Sequence, residues 1–249
     1  MGLARWWFAV RPGKNRIMTI RGVLFDFSGT LLRIEPTVDW LRVGLTRVGV
    51  EVSEEELRRL AGELERVGAL PGGSEPEEIP PGLRELWEAR DVNSSGHRRL
   101  YVTLARRVPL PGPPEVYDAL YDRHMEPDAW RPYPDTRQVL AALRERGVPV
   151  AVVSNIGWDL RPLFREHGLL PLVDAFALSY EHGVKKPDPP LFALACEALG
   201  VAPQQALMVG DNARADGGAT ALGCAVHLVR HLPVTERPGD LLPVIDLVG

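Results

Sequence analysis

LFDFSGTLL, residues 24–32, runs from an apolar stretch into Asp26 and then into Ser28, Gly29 and Thr30. With Gly22 and Val23 ahead of it, the segment 22–26 reads as a buried β-strand that ends on a carboxylate and leads straight into a turn. The same design recurs at PVAVVSN (149–155), DAFALS (174–179), ALMVGD (206–211) and AVHLVR (225–230). Between the later runs lie helical patterns. TRQVLAALRERG (136–147) is amphipathic and stops at Gly147, while PPLFALACEALG (189–200) starts on prolines and stops at Gly200. Pro just inside the start and Gly just past the end is the expected helix asymmetry. Strands alternating with helices predict an α/β fold with a parallel sheet.

The spacing is uneven. A βαβ unit takes about 30 residues, yet 128 residues separate Asp26 from Ser154. A unit the size of a small domain therefore interrupts the sheet after its first strand. The inserted stretch is Arg/Glu-rich and reads helical at 38–49, 53–68, 82–90, 95–108 and 114–125, the second with a Ser-x-x-Glu start at Ser53. PGGSEPEEIPPG (71–82) divides it and reads as a flexible connector rather than a substrate loop. The expected division is an N-terminal extension at 1–17 without fixed structure, a core at 18–34 and 132–249, and a helical insert at 35–131. The extension is Trp/Arg-rich, and Met18 offers an alternative start.

The chain of 249 residues is 45% hydrophobic and 25% charged, with a formal net charge of −4. These proportions allow a sizeable core and disfavour sequence-independent nucleic-acid binding, which depends on cation–phosphate contacts. No run approaches the roughly 18 apolar residues that span a bilayer. Two cysteines without a CxxC pattern argue against a disulfide framework or structural zinc and suit a reducing cytoplasm. A monomer or homodimer without membrane or nucleic-acid partners is expected. Lysine occurs only at 14, 185 and 186, so any lysine chemistry must come from those positions.

Four polar positions fall at or just beyond the carboxyl ends of the predicted strands, where open α/β sheets bind ligands. They are Asp26, Ser154, Lys186 and Asp211. Each alone reads as a cap or turn residue; their order and spacing carry the signal, as D-x-x-G-T, then S-N, K-P-D-P and G-D-x4-D. A carboxylate such as Asp26 can attack phosphorus and split one displacement into two through an acyl-phosphate. Asp26 and Asp211 suit a hard Mg2+ shared with a backbone carbonyl and waters. Lys186 offsets further negative charge, and Ser154 with backbone N–H groups near Gly29 and Asn155 can bind phosphoryl oxygens.

This pattern resembles the haloacid dehalogenase-like superfamily over roughly residues 20–230. The resemblance implies a Rossmann-like parallel-sheet core with an inserted helical cap of the C1 type. It implies that Asp26 is the nucleophile, that Ser154 binds phosphoryl oxygen and that Lys186, rather than Lys185, is the lysine preceding Pro. Gly29, Thr30, Ser154 and Asn155 then belong to the substrate-binding loops, and Asp211 and Asp216 form an acidic metal-site pair with Asp26 and the Ser28 carbonyl. The expected activity is Mg2+-dependent hydrolysis of a small phosphorylated metabolite.

One position departs from the pattern. Phosphatases of this family place a general acid–base Asp two residues after the nucleophile, and here that residue is Ser28. A serine hydroxyl does not exchange protons usefully near neutrality, and such help is worth roughly 10²–10⁴-fold. Three readings stay open: a slow phosphohydrolase or one that borrows an acid from His97, His124 or Glu126; a dehalogenase-type hydrolase of a 2-haloacid, which needs no proton donor; and a catalytically impaired phosphate-binding or regulatory protein. A phosphonate hydrolase needs a lysine in the insert, and residues 33–131 contain none.

Overall fold

In the computed structural model, residues 19–248 are described. Each apolar run of the sequence is a strand. β1 (Gly22–Phe25), β4 (Val150–Ser154), β5 (Ala175–Leu178), β6 (Ala206–Gly210) and β7 (Ala225–Leu228) form one sheet in the order β5-β4-β1-β6-β7. Every pairing is parallel, with Val23 opposite Val150 on one side and Leu207 on the other. Successive side chains of β1 point to opposite faces. Leu24 therefore packs with Leu191, Phe192 and Ala195 of α9 (Pro189–Leu199). Val23 and Phe25 pack with Val139, Leu140 and Leu143 of α6 (Thr136–Glu145) and Phe164 of α7 (Arg161–Glu166). Both faces are covered, which is why the strands read as continuous apolar runs rather than alternating ones. Burying each Leu or Phe contributes about 1.5–3 kcal/mol. The first strand sits at the centre of the sheet, so Asp26 emerges where strand neighbours on both sides converge.

Between β1 and β4 the chain leaves through β2 (Leu32–Ile34) and returns through β3 (Trp130–Pro132), which pair antiparallel with Ile34 opposite Trp130. Five helices lie between them: α1 (Thr37–Arg47), α2 (Glu54–Arg66), α3 (Arg84–Ala89), α4 (Ser94–Ala105) and α5 (Val116–His124). Ser53 caps α2 by accepting from the Glu56 N–H at 3.2 Å. Buried Arg123 donates from Nε and Nη2 to both oxygens of buried Glu35, each at 2.7 Å, and ties α5 to the end of β2. Trp130 Nε1 donates to the His124 carbonyl at 2.6 Å, and Trp40 Nε1 to the Leu120 carbonyl at 2.8 Å.

The 71–82 stretch is anchored at a few points: Pro71 and Pro80 are buried and Gly72 lies against Trp130 and Ser28, while Ser74, Glu75, Glu77, Glu78, Pro81 and Gly82 are exposed. The expected extension at 1–17 lies outside the described residues. After β5 comes the short α8 (Ser179–His182), and α10 (Val244–Leu247) ends the described chain, with Val248 bridged to Ile20. No helix among the described residues is long and apolar enough to cross a membrane.

Candidate active site

The carboxyl ends of β1, β4 and β6 and the loop before α9 bring four of the expected residues together. Lys186 is almost wholly buried, and its Nζ donates to Asp26 Oδ1 at 2.6 Å and to Asp216 Oδ1 at 2.7 Å. Oxygens of Asp26, Asp211 and Asp216 lie within 4.8 Å of one another. Thr30 Oγ1 donates to the other Asp26 oxygen, Oδ2, at 3.2 Å. Ser154 closes β4 and is buried.

The electrostatics follow from this crowding. Burial pushes the Asp26 carboxyl up to about 8; Lys186 pulls it down, while Asp216 and Asp211 push it further up. Burial pulls the Lys186 ammonium down, but the charges of Asp216 and Asp26 outweigh it and hold the lysine charged above its ordinary range. Three carboxylates with a single ammonium leave a net negative pocket lined by hard oxygen donors. That composition fits a Mg2+-type ion, which prefers carboxylates, carbonyls and water. All three carboxylates already have protein partners: Asp26 accepts from Lys186 and Thr30, Asp211 is bonded to His231, and Asp216 spends Oδ1 on Lys186 and Oδ2 on the Asn212 N–H at 2.9 Å.

Backbone geometry makes the crowding feasible at two glycines. Gly29 has φ +81°, and a Cβ there would meet His231 Nδ1 at 2.6 Å and Asp211 Cγ at 2.9 Å. At Gly210 a Cβ would meet the Asp216 side chain, with its Cβ at 2.8 Å and its carboxylate closer still. The Gly29 N–H bonds to the Leu32 carbonyl at 2.8 Å, so Gly29 supplies space rather than the expected phosphoryl donor. Asn155 likewise spends its side chain on Lys186: Oδ1 accepts from the Lys186 N–H at 2.7 Å and Nδ2 donates to the Lys186 carbonyl at 2.9 Å. Only its backbone is left to face a ligand.

The three candidate proton lenders lie elsewhere. His97 and His124 stack on each other where the insert meets the loop after β4, His97 lying against Gly157 and His124 edge-on to Trp158, with His97 Nδ1 bonded to the Tyr121 hydroxyl at 2.7 Å. Burial drives both below the ordinary histidine range, His124 to about 3. Glu126 is held by Arg47 at 2.6 Å and Arg123 at 3.1 Å. Ser28 Oγ points to the Gly72 carbonyl at 3.5 Å.

Sequence reasoning missed the segment after β7. His231 Nδ1 bonds to Asp211 Oδ2, and Arg33 Nη1 reaches His231 Nε2. Arg237, fully buried, donates from Nη1 to the Gly29 carbonyl at 2.6 Å and from Nη2 to the Thr30 carbonyl. Neither residue lies in a recognisable motif; a histidine just past a strand's carboxyl end was the one available signal.

Comparison with known proteins agrees with this geometry. Residues 20–222 match the family model of the haloacid dehalogenase-like hydrolases. The chain is 30% identical to the glyceraldehyde 3-phosphate phosphatase of Methanopyrus kandleri, across 92% of this chain and 93% of that protein. It is 26% identical to the phosphoglycolate phosphatase of Escherichia coli across 94% and 95%. Among solved structures, the L-2-haloacid dehalogenase of Xanthobacter autotrophicus superposes with a TM-score of 0.61 at 25% identity, covering 92% of this chain and 87% of that one. With a matching family model over most of its length, and with Lys186 joined to Asp26 and Asp216 beside Asp211, this chain belongs to the haloacid dehalogenase-like hydrolases.

Proposed function

We propose that the protein is a Mg2+-dependent phosphatase of a small phosphorylated metabolite, working through an aspartyl-phosphate on Asp26. The observation that carries this reading is the Lys186 ammonium bridging Asp26 and Asp216, with Asp211 in the same carboxylate cluster. An anionic nucleophile attacks an anionic phosphate only where cations offset the repulsion; Lys186 supplies one, and the carboxylate cluster has the donor types to hold a second. Relatives named for glyceraldehyde 3-phosphate and phosphoglycolate support a short phosphate monoester as substrate.

Asp26 and Asp211, with the Ser28 carbonyl, would hold the ion, and Asp216 would position Lys186. When bound, the ion supplies electrostatic stabilisation of the phosphoryl oxygens. The carboxylate of Asp26 forms a bond to phosphorus as the ester oxygen departs with its electron pair. Lys186 stays charged throughout and faces the transferring group. Ser154 and the Asn155 backbone bind the remaining oxygens. Ser28 offers the departing alkoxide no proton, so a water enclosed with the substrate provides it, and turnover is slow or favours good leaving groups. Water then attacks the acyl-phosphate and releases phosphate. The helical insert acts as a cap that excludes bulk water.

The test is phosphate release from p-nitrophenyl phosphate and a panel of metabolite phosphates, with Mg2+ and after chelation. Metal-dependent phosphate release supports the proposal. The absence of a carboxylate at position 28 favours a second reading, halide displacement from a 2-haloacid, which requires no acid. Halide release with no phosphate release would establish that reading instead, and neither product would leave a phosphate-binding role.

A further inference from the structure

The segment that follows β7 closes one side of the candidate site with a cation that has no counter-ion. Arg237 is fully buried, and among the described residues no carboxylate lies within ion-pair distance of it. Its guanidinium lies over the ring of Tyr133, 3.2 Å from the centroid. The Tyr133 hydroxyl donates to the Leu232 carbonyl at 2.7 Å. The two Nη groups divide between consecutive carbonyls, Gly29 and Thr30, while Nε has no partner. Desolvation acts to lower the guanidinium pKa, with Asp135, Asp240 and Asp211 opposing it only through space. A buried charge held only by carbonyls and a ring is costly unless its fork is matched to what it grips.

What it grips is the turn behind the nucleophile. Thr30 donates its hydroxyl to Asp26, and Ser28 immediately precedes Gly29. We propose that Arg237 is a positioning residue: its planar fork fixes the Gly29 and Thr30 peptide planes, and through them the Asp26 carboxylate and the Ser28 carbonyl that would hold the metal. This rests on the metal-site reading of Asp26, Ser28 and Asp211. A lysine, a single point donor, does not span two carbonyls as a guanidinium does.

The experiment measures Mn2+ affinity by titration calorimetry and p-nitrophenyl phosphate kinetics for wild type and Arg237→Ala, each with and without guanidinium chloride at roughly 30 mM and with NaCl as the ionic control. The expected result is a roughly tenfold to hundredfold loss of both Mn2+ affinity and kcat, with KM nearly unchanged and several-fold recovery on adding guanidinium but not NaCl. A folded variant with wild-type affinity and kcat overturns the proposal. So does a loss that guanidinium leaves unrepaired while the thermal midpoint falls, since that marks a stability role. Should Arg237→Ala fail to fold, Arg237→Lys is read in the same assays: weakened Mn2+ binding supports the fork, and wild-type binding overturns it. If the wild type binds Mn2+ in an Arg237-dependent way yet releases no phosphate, the phosphatase reading fails and the positioning role stands.

Discussion

Under the proposed phosphatase reading, Ser28 limits how fast the site works. Its hydroxyl faces the Gly72 carbonyl at 3.5 Å, and His97, His124 and Glu126 are each held by other partners. Ser28→Asp is therefore expected to raise phosphate release from poor leaving groups, by tenfold or more within the roughly 10²–10⁴-fold range of general acid–base help. A flat or lowered rate would mean that proton transfer is not what limits the enzyme. Asp26→Asn is expected to abolish turnover, measured as loss of phosphate release by correctly folded protein. Gly29→Ala should act through space alone: the new methyl group invades Asp211 and His231 and the backbone is held at φ +81°. Weakened Mn2+ binding with little loss of secondary structure is the expected signature, read by calorimetry beside circular dichroism.

At the scale of elements, the strand pair β2–β3 and the Glu35–Arg123 pair join the helical insert to the sheet. Glu35 and Arg123 are each about nineteen-twentieths buried and share two hydrogen bonds. Removing Arg123 leaves the Glu35 charge buried, whereas removing Glu35 leaves Arg123 paired with Asp128 at 2.7 Å and Glu126 at 3.1 Å. Arg123→Met is therefore expected to cost about 3–5 kcal/mol, Glu35→Gln less, and the double variant less than the sum. Urea denaturation of the three variants checks this, and strictly additive losses would show that the two residues do not act as a pair. The 71–82 stretch shows how little composition says about path. Its Pro and Gly content is that of a connector, but Gly72 fits between Trp130 and Ser28, a contact between residues distant in the chain.

Across the whole molecule, acid should loosen the insert before the sheet. His97 and His124 are buried neutral among aromatic rings, and burial lowers both, His124 to about 3 from an ordinary 6.5. A depressed histidine contributes stability that is complete above pH 6.5 and is lost as pH falls toward 3, because the unfolded chain takes up the proton first. Between pH 7 and pH 5 the loss from His124 is about 2 kcal/mol. Denaturation at the two pH values should show a smaller difference in His124→Gln than in wild type, and an equal difference would place the acid sensitivity elsewhere.

The sequence by itself determined the parallel α/β core, the helical insert after the first strand and the order of Asp26, Ser154, Lys186 and Asp211. Those features rest on local hydrophobic periodicity, on capping chemistry and on short spacings that survive without long-range contacts. The strand ends came out within a residue or two, as at β7, which stops at Leu228 instead of Arg230. Only the tertiary structure decided that Asp216 grips Lys186, that Asn155 serves the lysine backbone and that the histidines of the insert are core residues. It alone brought His231 and Arg237 back onto the Asp26 turn from some 200 residues away. Those partners are joined by packing of the segment after the last strand against the first loop, and no local pattern encodes a contact whose two halves fold into separate elements.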